Sequence, residues 1–209
     1  MTEARTGEAA RGVAGLILAA GGARRFGGAK LPALFRGRPL VAYVLDVAGR
    51  ARATGLLSDL RIVIAPGDEI VGGLAQSAGA TPVVNQAPER GLSSSLRTGL
   101  AGLDGGAALV LLADQPLVRL DVLAVLVAAW HERLGDLIRP RYTACPDEPG
   151  HPVLVDRSLW PLADRLEDDA GFGSVLSAGA SGVAVIDVAG SNPDVDTPAD
   201  LHLLEGPTS

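Results

Sequence analysis

A three-layer α/β/α fold, with helices on both faces of a mostly parallel mixed sheet, is what this 209-residue sequence predicts. Three observations predict it. The runs VAGLILAA and AALVLLA are continuously apolar, as strands buried on both faces are. Segments with apolar residues at helical spacing alternate with such runs, which calls for right-handed crossovers and parallel pairing. Past Pro140 the alternation gives way to short strand-like runs around a turn-rich PDEPG, which adds antiparallel pairing.

The elements follow in order. Residues 1–12, MTEARTGEAARG, are polar and mixed in charge and read as a disordered tail. Residues 13–206 read as one domain, a length at which folding buries about 70% of the unfolded chain's surface. The first strand spans 13–20. A helix spans 39–52, opening on a proline. LRIVIA (60–65) is the second strand, followed by a helix at 68–78 and a short strand at 81–84. A helix at 93–103 begins on serines. Residues 107–113 form the most strand-like run, and 120–134 a strong helix. Strands at 142–145 and 151–156 flank the PDEPG turn. Short helices at 157–166 and 173–178, a strand at 182–188 and a final helix at 197–205 complete the chain. Thr197 is the N-cap of that last helix and Pro198 its first residue.

Composition excludes some functions. Net charge is −6 and aromatics are 3% of residues, so neither a polyanion-binding surface nor base-stacking platforms are expected. The expectation is no nucleic-acid partner. The single cysteine, Cys145, rules out an internal disulfide or a thiolate zinc cluster and suits a reducing compartment. No signal peptide or membrane span is visible, so a cytoplasmic protein is expected.

In open sheets of this kind ligands bind beyond the carboxyl ends of the strands. That rule points to residues 20–30, the loop after Ala65, residues 114–116 and residues 194–198. The first is glycine-rich, with Gly21, Gly22, Gly27 and Gly28 among Arg24, Arg25 and Lys30. Backbone N–H groups without side chains in the way approach phosphate oxygens closely. The loop fits neither the G-x-x-x-x-G-K-[ST] nor the G-x-G-x-x-G pattern. Lys30 is the only lysine in a chain that otherwise uses arginine. The two are interchangeable on a solvated face but not in a tight site, where an ammonium is a compact point charge. Lys30 therefore reads as functional.

Asp114 follows the strongest strand directly, in ADQP. A carboxylate there faces the ligand crevice and suits Mg²⁺, which takes one or two carboxylates plus substrate phosphates. In NPDVDTPADL, Asp194 and Asp196 alternate on an extended segment, so one of them faces the site. Asp196 is the choice, with Asp194 as the alternative. Asp200 belongs to the first helical turn.

The loop LAAGGARRFGGAK resembles the L-A-A-G-x-S-x-R-M-G-x-x-K signature of the MobA-like nucleotidyltransferases, which include molybdenum cofactor cytidylyl- and guanylyltransferases. Leu18, Ala19, Ala20, Gly21, Arg25, Gly27 and Lys30 fall on the pattern, Phe26 replaces Met, and Ala23 stands where Ser is common. The resemblance implies a Rossmann-like, GT-A-like nucleotidyltransferase whose loop, Gly22 included, wraps a triphosphate while Arg25 and Lys30 neutralise it. It implies Asp114 as the principal Mg²⁺ ligand. Family members end on a motif similar to D-V-D-T-P-A-D, with Asp196 as second ligand. ERGLSSSLRTGL resembles the family's helix start, where Ser94 and Ser95 contact nucleotide or simply cap the helix. Gly150-His151-Pro152-Val153 resembles the G-H-P-V segment of the cytidylyl branch, near the acceptor site. Asp169 and Gly171 match a loosely similar acceptor-site motif, while Asp168 and Gly173 depart from it.

The implied reaction is transfer of CMP from CTP to a molybdopterin-type phosphate acceptor, with Mg²⁺ as cofactor and a molybdoenzyme as possible client. Alternatives within the class are a guanylyltransferase or a sugar- or polyol-phosphate cytidylyltransferase. From other classes come a non-catalytic cofactor chaperone and a nicotinamide-dependent oxidoreductase, the latter disfavoured by the missing G-x-G-x-x-G.

Overall fold

The computed structural model describes residues 12–22, 25–147, 150–175 and 182–205. The tail expected at 1–12, apart from Gly12, lies outside the described residues, as do Ala23, Arg24 and the end of the helix expected at 173–178.

Strand β1 (Val13–Leu18) is buried along its whole length. It pairs in parallel with β4 (Asp59–Ile64) on one side and β6 (Ala107–Leu112) on the other. A strand with neighbours on both edges and helices over both faces has no solvent side, which is why these runs lack alternation. Strand β5 (Thr81–Val84) extends the sheet beyond β4. Beyond β6 comes the antiparallel β8 (Val153–Asp156), then β7 (Leu137–Tyr142) and β9 (Val183–Val188).

Alternate side chains feed two cores. Ile17, Leu109, Leu111, Ile138 and Leu154 face the layer holding α1 (Leu40–Ala53), α2 (Glu69–Ser77) and α4 (Leu120–His131). Leu16, Leu18, Val110, Leu137 and Val155 face the layer holding α3 (Gly91–Leu100) and the 3₁₀ turns of Arg157–Arg165. This is the predicted three-layer mixed-sheet architecture. No helix among the described residues is long and apolar enough to cross a membrane.

Two features depart from the sequence reading. A hairpin of β2 (Leu34–Phe35) and β3 (Arg38–Pro39) was not expected. Its turn residues Arg36 and Gly37 both have positive φ, the hand that matches the twist of two-residue hairpins. Phe35 packs there with Leu40, Val195 and Leu201, the last from α5 (Pro198–Glu205). The strand expected at 142–145 instead ends at Tyr142 and begins at Leu137. Pro140, past which the sequence pattern changes, lies inside this strand, and β8 pairs only with Leu137 and Ile138. At Pro140 no partner on that side requires an N–H.

Candidate active site

The site forms because the sheet register sets two chain exits side by side and a third segment is pinned beside them. Leu18 and Leu112 are level at the carboxyl ends of β1 and β6. Ala19 donates to the Val63 carbonyl at 2.8 Å and Ala113 to the Leu18 carbonyl at 3.0 Å, so both chains leave the sheet from fixed points. The Val195 N–H then bonds the Asp114 carbonyl at 3.0 Å, pinning the 192–196 segment to the same place.

The result is a cleft of about 750 Å³ lined by the glycine-rich loop (Leu18, Ala19, Ala20, Gly21, Gly22, Arg25, Lys30) and by Ser95, Asp114, Asp169 and Asp196. At its centre the Lys30 Nζ lies 2.7 Å from Asp114 Oδ2 and 3.4 Å from Asp196 Oδ1. Arg25 Nη2 reaches Asp196 Oδ2 at 3.0 Å. The lysine side chain is 11% exposed, which makes its bond to Asp114 a charge-assisted contact in a partly desolvated setting. Arg25 is 75% exposed, so its pair adds little to stability and leaves the guanidinium free to meet a ligand.

Asp194 faces elsewhere. Its Oδ1 accepts from Gln115 Nε2 at 2.7 Å, and Asn192 Nδ2 in turn donates to Gln115 Oε1 at 2.9 Å. Burial pushes the Asp194 carboxyl up, with the negative Asp114 adding to it. Asp200 stabilises the turn that presents Asp196. Its Oδ2 accepts from the Thr197 N–H at 2.7 Å, the Thr197 hydroxyl at 2.9 Å and the Asp196 N–H at 2.9 Å, which holds its carboxyl below the usual range.

The two serines differ. Ser95 lines the cleft. Ser94 lies behind it, its Oγ 2.8 Å from the Gly91 carbonyl and accepting from Asn85 Nδ2 at 2.8 Å. The same amide donates to Ser95 at 3.1 Å, so the buried Asn85 orients both. Asp169 Oδ1 accepts the Leu92 N–H at 3.3 Å, and the Ser93 N–H bonds the Asp168 carbonyl at 3.0 Å. His151 lines a second, adjoining pocket. Burial pushes its imidazole down to about 4, aided by the Arg139 guanidinium, so it is neutral at physiological pH.

Asn85 was not singled out from sequence, and Gly91 and Leu92 entered only as part of the ERGLSSSLRTGL segment. Gly91 is required for two reasons. Its φ is +77°, and a Cβ there would sit 2.4 Å from the Asp168 carbonyl carbon. Gly91→Ala is expected to destabilise by about 2 kcal/mol or more, lowering Tm by roughly 4–8 °C in thermal unfolding. It should weaken nucleotide binding as well, because the serine helix and the Asp169 segment meet there.

The donor set bears on a metal. Among the described residues no three His, Cys, Asp or Glu side chains form a metal cage. Asp114 and Asp196 nevertheless converge on one cationic atom. Two carboxylates completed by substrate oxygens and water suit Mg²⁺, which rarely uses an all-protein cage. The residues present fit such an ion.

Residues 15–183 match the family model described as MobA-like NTP transferase domain. The chain is similar to the solved structure of a Mycobacterium tuberculosis Rv0371c homologue from Mycobacterium sp. strain JC1. Identity is 27%, coverage 92% of this chain and 94% of that one, and TM-score 0.79. It is similar also to Rv0371c from Mycobacterium tuberculosis H37Rv complexed with manganese, at 26% identity, 90% and 95% coverage and TM-score 0.74. In fold alone it resembles molybdopterin-guanine dinucleotide biosynthesis protein A from Archaeoglobus fulgidus, at 17% identity, 90% and 94% coverage and TM-score 0.63. No curated protein matches the chain.

Proposed function

From the premise that the chain belongs to the MobA-like NTP transferase family and is a nucleotidyltransferase, we propose that it moves CMP from CTP to a molybdopterin-type phosphate acceptor with Mg²⁺ as cofactor. The observation that carries this reading is the Lys30–Asp114 contact of 2.7 Å inside the cleft. It joins the glycine-rich loop and the strand-end carboxylate in one site.

A phosphate oxygen of the acceptor attacks the α-phosphorus, the α–β bridging P–O bond breaks, and pyrophosphate leaves with the electron pair. An ionised phosphate needs no general base, which agrees with a site whose one histidine is neutral and lies beside the cleft rather than in it. Positioning and electrostatics carry the step. The loop from Ala19 to Gly22 offers its backbone to the triphosphate. Lys30 and Arg25 meet charge on the phosphoryl oxygens and the leaving pyrophosphate. Asp114 and Asp196 are the residues to hold Mg²⁺, which when bound would neutralise phosphate charge. Ser95 is placed for the nucleotide, and Asp169 and His151 stand on the acceptor side. A manganese complex of a relative 26% identical supports divalent-metal use.

The choice of CTP rests on LAAG at residues 18–21 and GHPV at residues 150–153. With a molybdopterin-type acceptor present, pyrophosphate release is expected with CTP and Mg²⁺, at least tenfold slower with GTP, and absent without a divalent ion. Faster release with GTP would turn the reading to a guanylyltransferase. CTP binding without any release would turn it to a nucleotide-binding chaperone.

A further inference from the structure

Beside the nucleotide cleft lies a second pocket of about 380 Å³, sharing Leu18, Leu92 and Asp169 with it. Its floor is the α3-side face of the sheet, where alternation presents Leu18, Val110, Val153 and Val155 from three adjacent strands. Leu96 and Phe172 wall it. One cation opens into this apolar space: Arg139 on β7. Partial burial lowers its pKa, which reports a guanidinium paying for desolvation. The other half-buried arginines are compensated. Arg61 donates to Gly99 and Ala101 carbonyls, Arg97 to Ala163 and Leu166, Arg157 to Leu103 and Gly105. Arg141, two residues on, pairs with Asp187 at 2.6 Å. Arg139 has no hydrogen bond or carboxylate partner among the described residues and rests against Gly173, where a Cβ would meet its Nη1 at 3.3 Å.

Its depth matters. Ile138, Leu154 and Leu109 are level across three strands, so Arg139 stands at the height of Val110. Asp114 lies four residues further along and two strands across, a Cα separation on the order of 15 Å. A guanidinium so placed does not serve the reacting phosphate. We propose that the acceptor carries an anionic oxygen group at the end remote from its reacting phosphate, that Arg139 holds this group, and that an apolar body lies on the sheet face between them. The substrate class is thus a phosphomonoester with an apolar middle and a distal oxyanion. This rests on the nucleotidyltransferase reading of the adjoining cleft and not on a molybdopterin acceptor, whose polar pterin carries no terminal oxyanion; binding of this kind would replace that acceptor with another phosphomonoester.

The test uses naphthalene-2-carboxylate and its neutral amide as probes, titrated by calorimetry into the full chain with CTP and Mg²⁺ present. The native protein is expected to bind the carboxylate at least tenfold more tightly than the amide. Arg139→Met should lose that preference while keeping its amide affinity, CTP affinity and Tm, and Arg139→Lys should keep part of it. Equal affinity for both probes in the native protein, a preference that survives Arg139→Met, or binding of neither probe at millimolar concentration overturns the proposal. If CTP fails to bind while the Arg139-dependent preference stands, the transferase reading falls and the pocket assignment remains.

Discussion

Asp114→Asn is expected to lower kcat by on the order of 10²–10³-fold at saturating CTP, the cost typical of losing one preorganised electrostatic contact. The substitution keeps the shape of the side chain and removes its charge. An amide oxygen still accepts from Lys30 Nζ, 2.7 Å away in the native site, so packing and the hydrogen bond are preserved. Lost is one of two anionic oxygens able to hold a hard cation. Folding should change little. Asp196 remains within 3.4 Å of the ammonium, so Lys30 is not left unpaired, and Asp114 is itself 23% exposed. A Tm within a few degrees of native, together with a Mg²⁺ optimum moved to much higher concentration, is the expected pattern. Pyrophosphate release titrated with Mg²⁺ measures it. A variant with native turnover and native Mg²⁺ response would remove Asp114 from the reaction.

The residues that were legible in the sequence share one property: their meaning is local. Val13 to Leu18 and Ala107 to Leu112 are apolar throughout because each is covered on two faces and two edges, and such a run needs no partner to be recognised. Asp114 is read from its place at the end of such a strand. Lys30 is read from its rarity beside glycines, and Asp196 from a turn motif. What was illegible depends on pairing. Arg139 belongs to the pocket only because β8 inserts between β6 and β7 and turns one side of all three strands toward α3. Gly91 is required, beyond its positive φ, because residues 168–169, far along the chain, pass within contact of it. The β2–β3 hairpin has two residues per strand, too few to show any period.

Lys30→Met separates the lysine's two roles, and its outcome has two signs. Turnover should fall on the order of 10²–10³-fold, because the charge proposed to meet the phosphoryl oxygens would be gone. Metal binding without nucleotide should move the other way. In the native protein the ammonium lies between Asp114 and Asp196, where the proposed divalent ion would sit. Removing it leaves two carboxylates facing one point with, among the described residues, only the exposed Arg25 paired to either of them. Two like charges so placed, without the ammonium between them, attract a divalent cation more strongly. At the effective dielectric of a partly exposed site, a cation in direct contact is worth at least about 1.4 kcal/mol, so Mn²⁺ should bind the apoprotein roughly tenfold more tightly in the variant. Methionine approximates the lysine stem in length, so Tm should hold. Calorimetric Mn²⁺ titrations of native and variant protein read the effect directly. If metal affinity falls with turnover, the ammonium is a support for the carboxylates rather than their competitor, and the site is not one where nucleotide and metal together displace an internal ion pair.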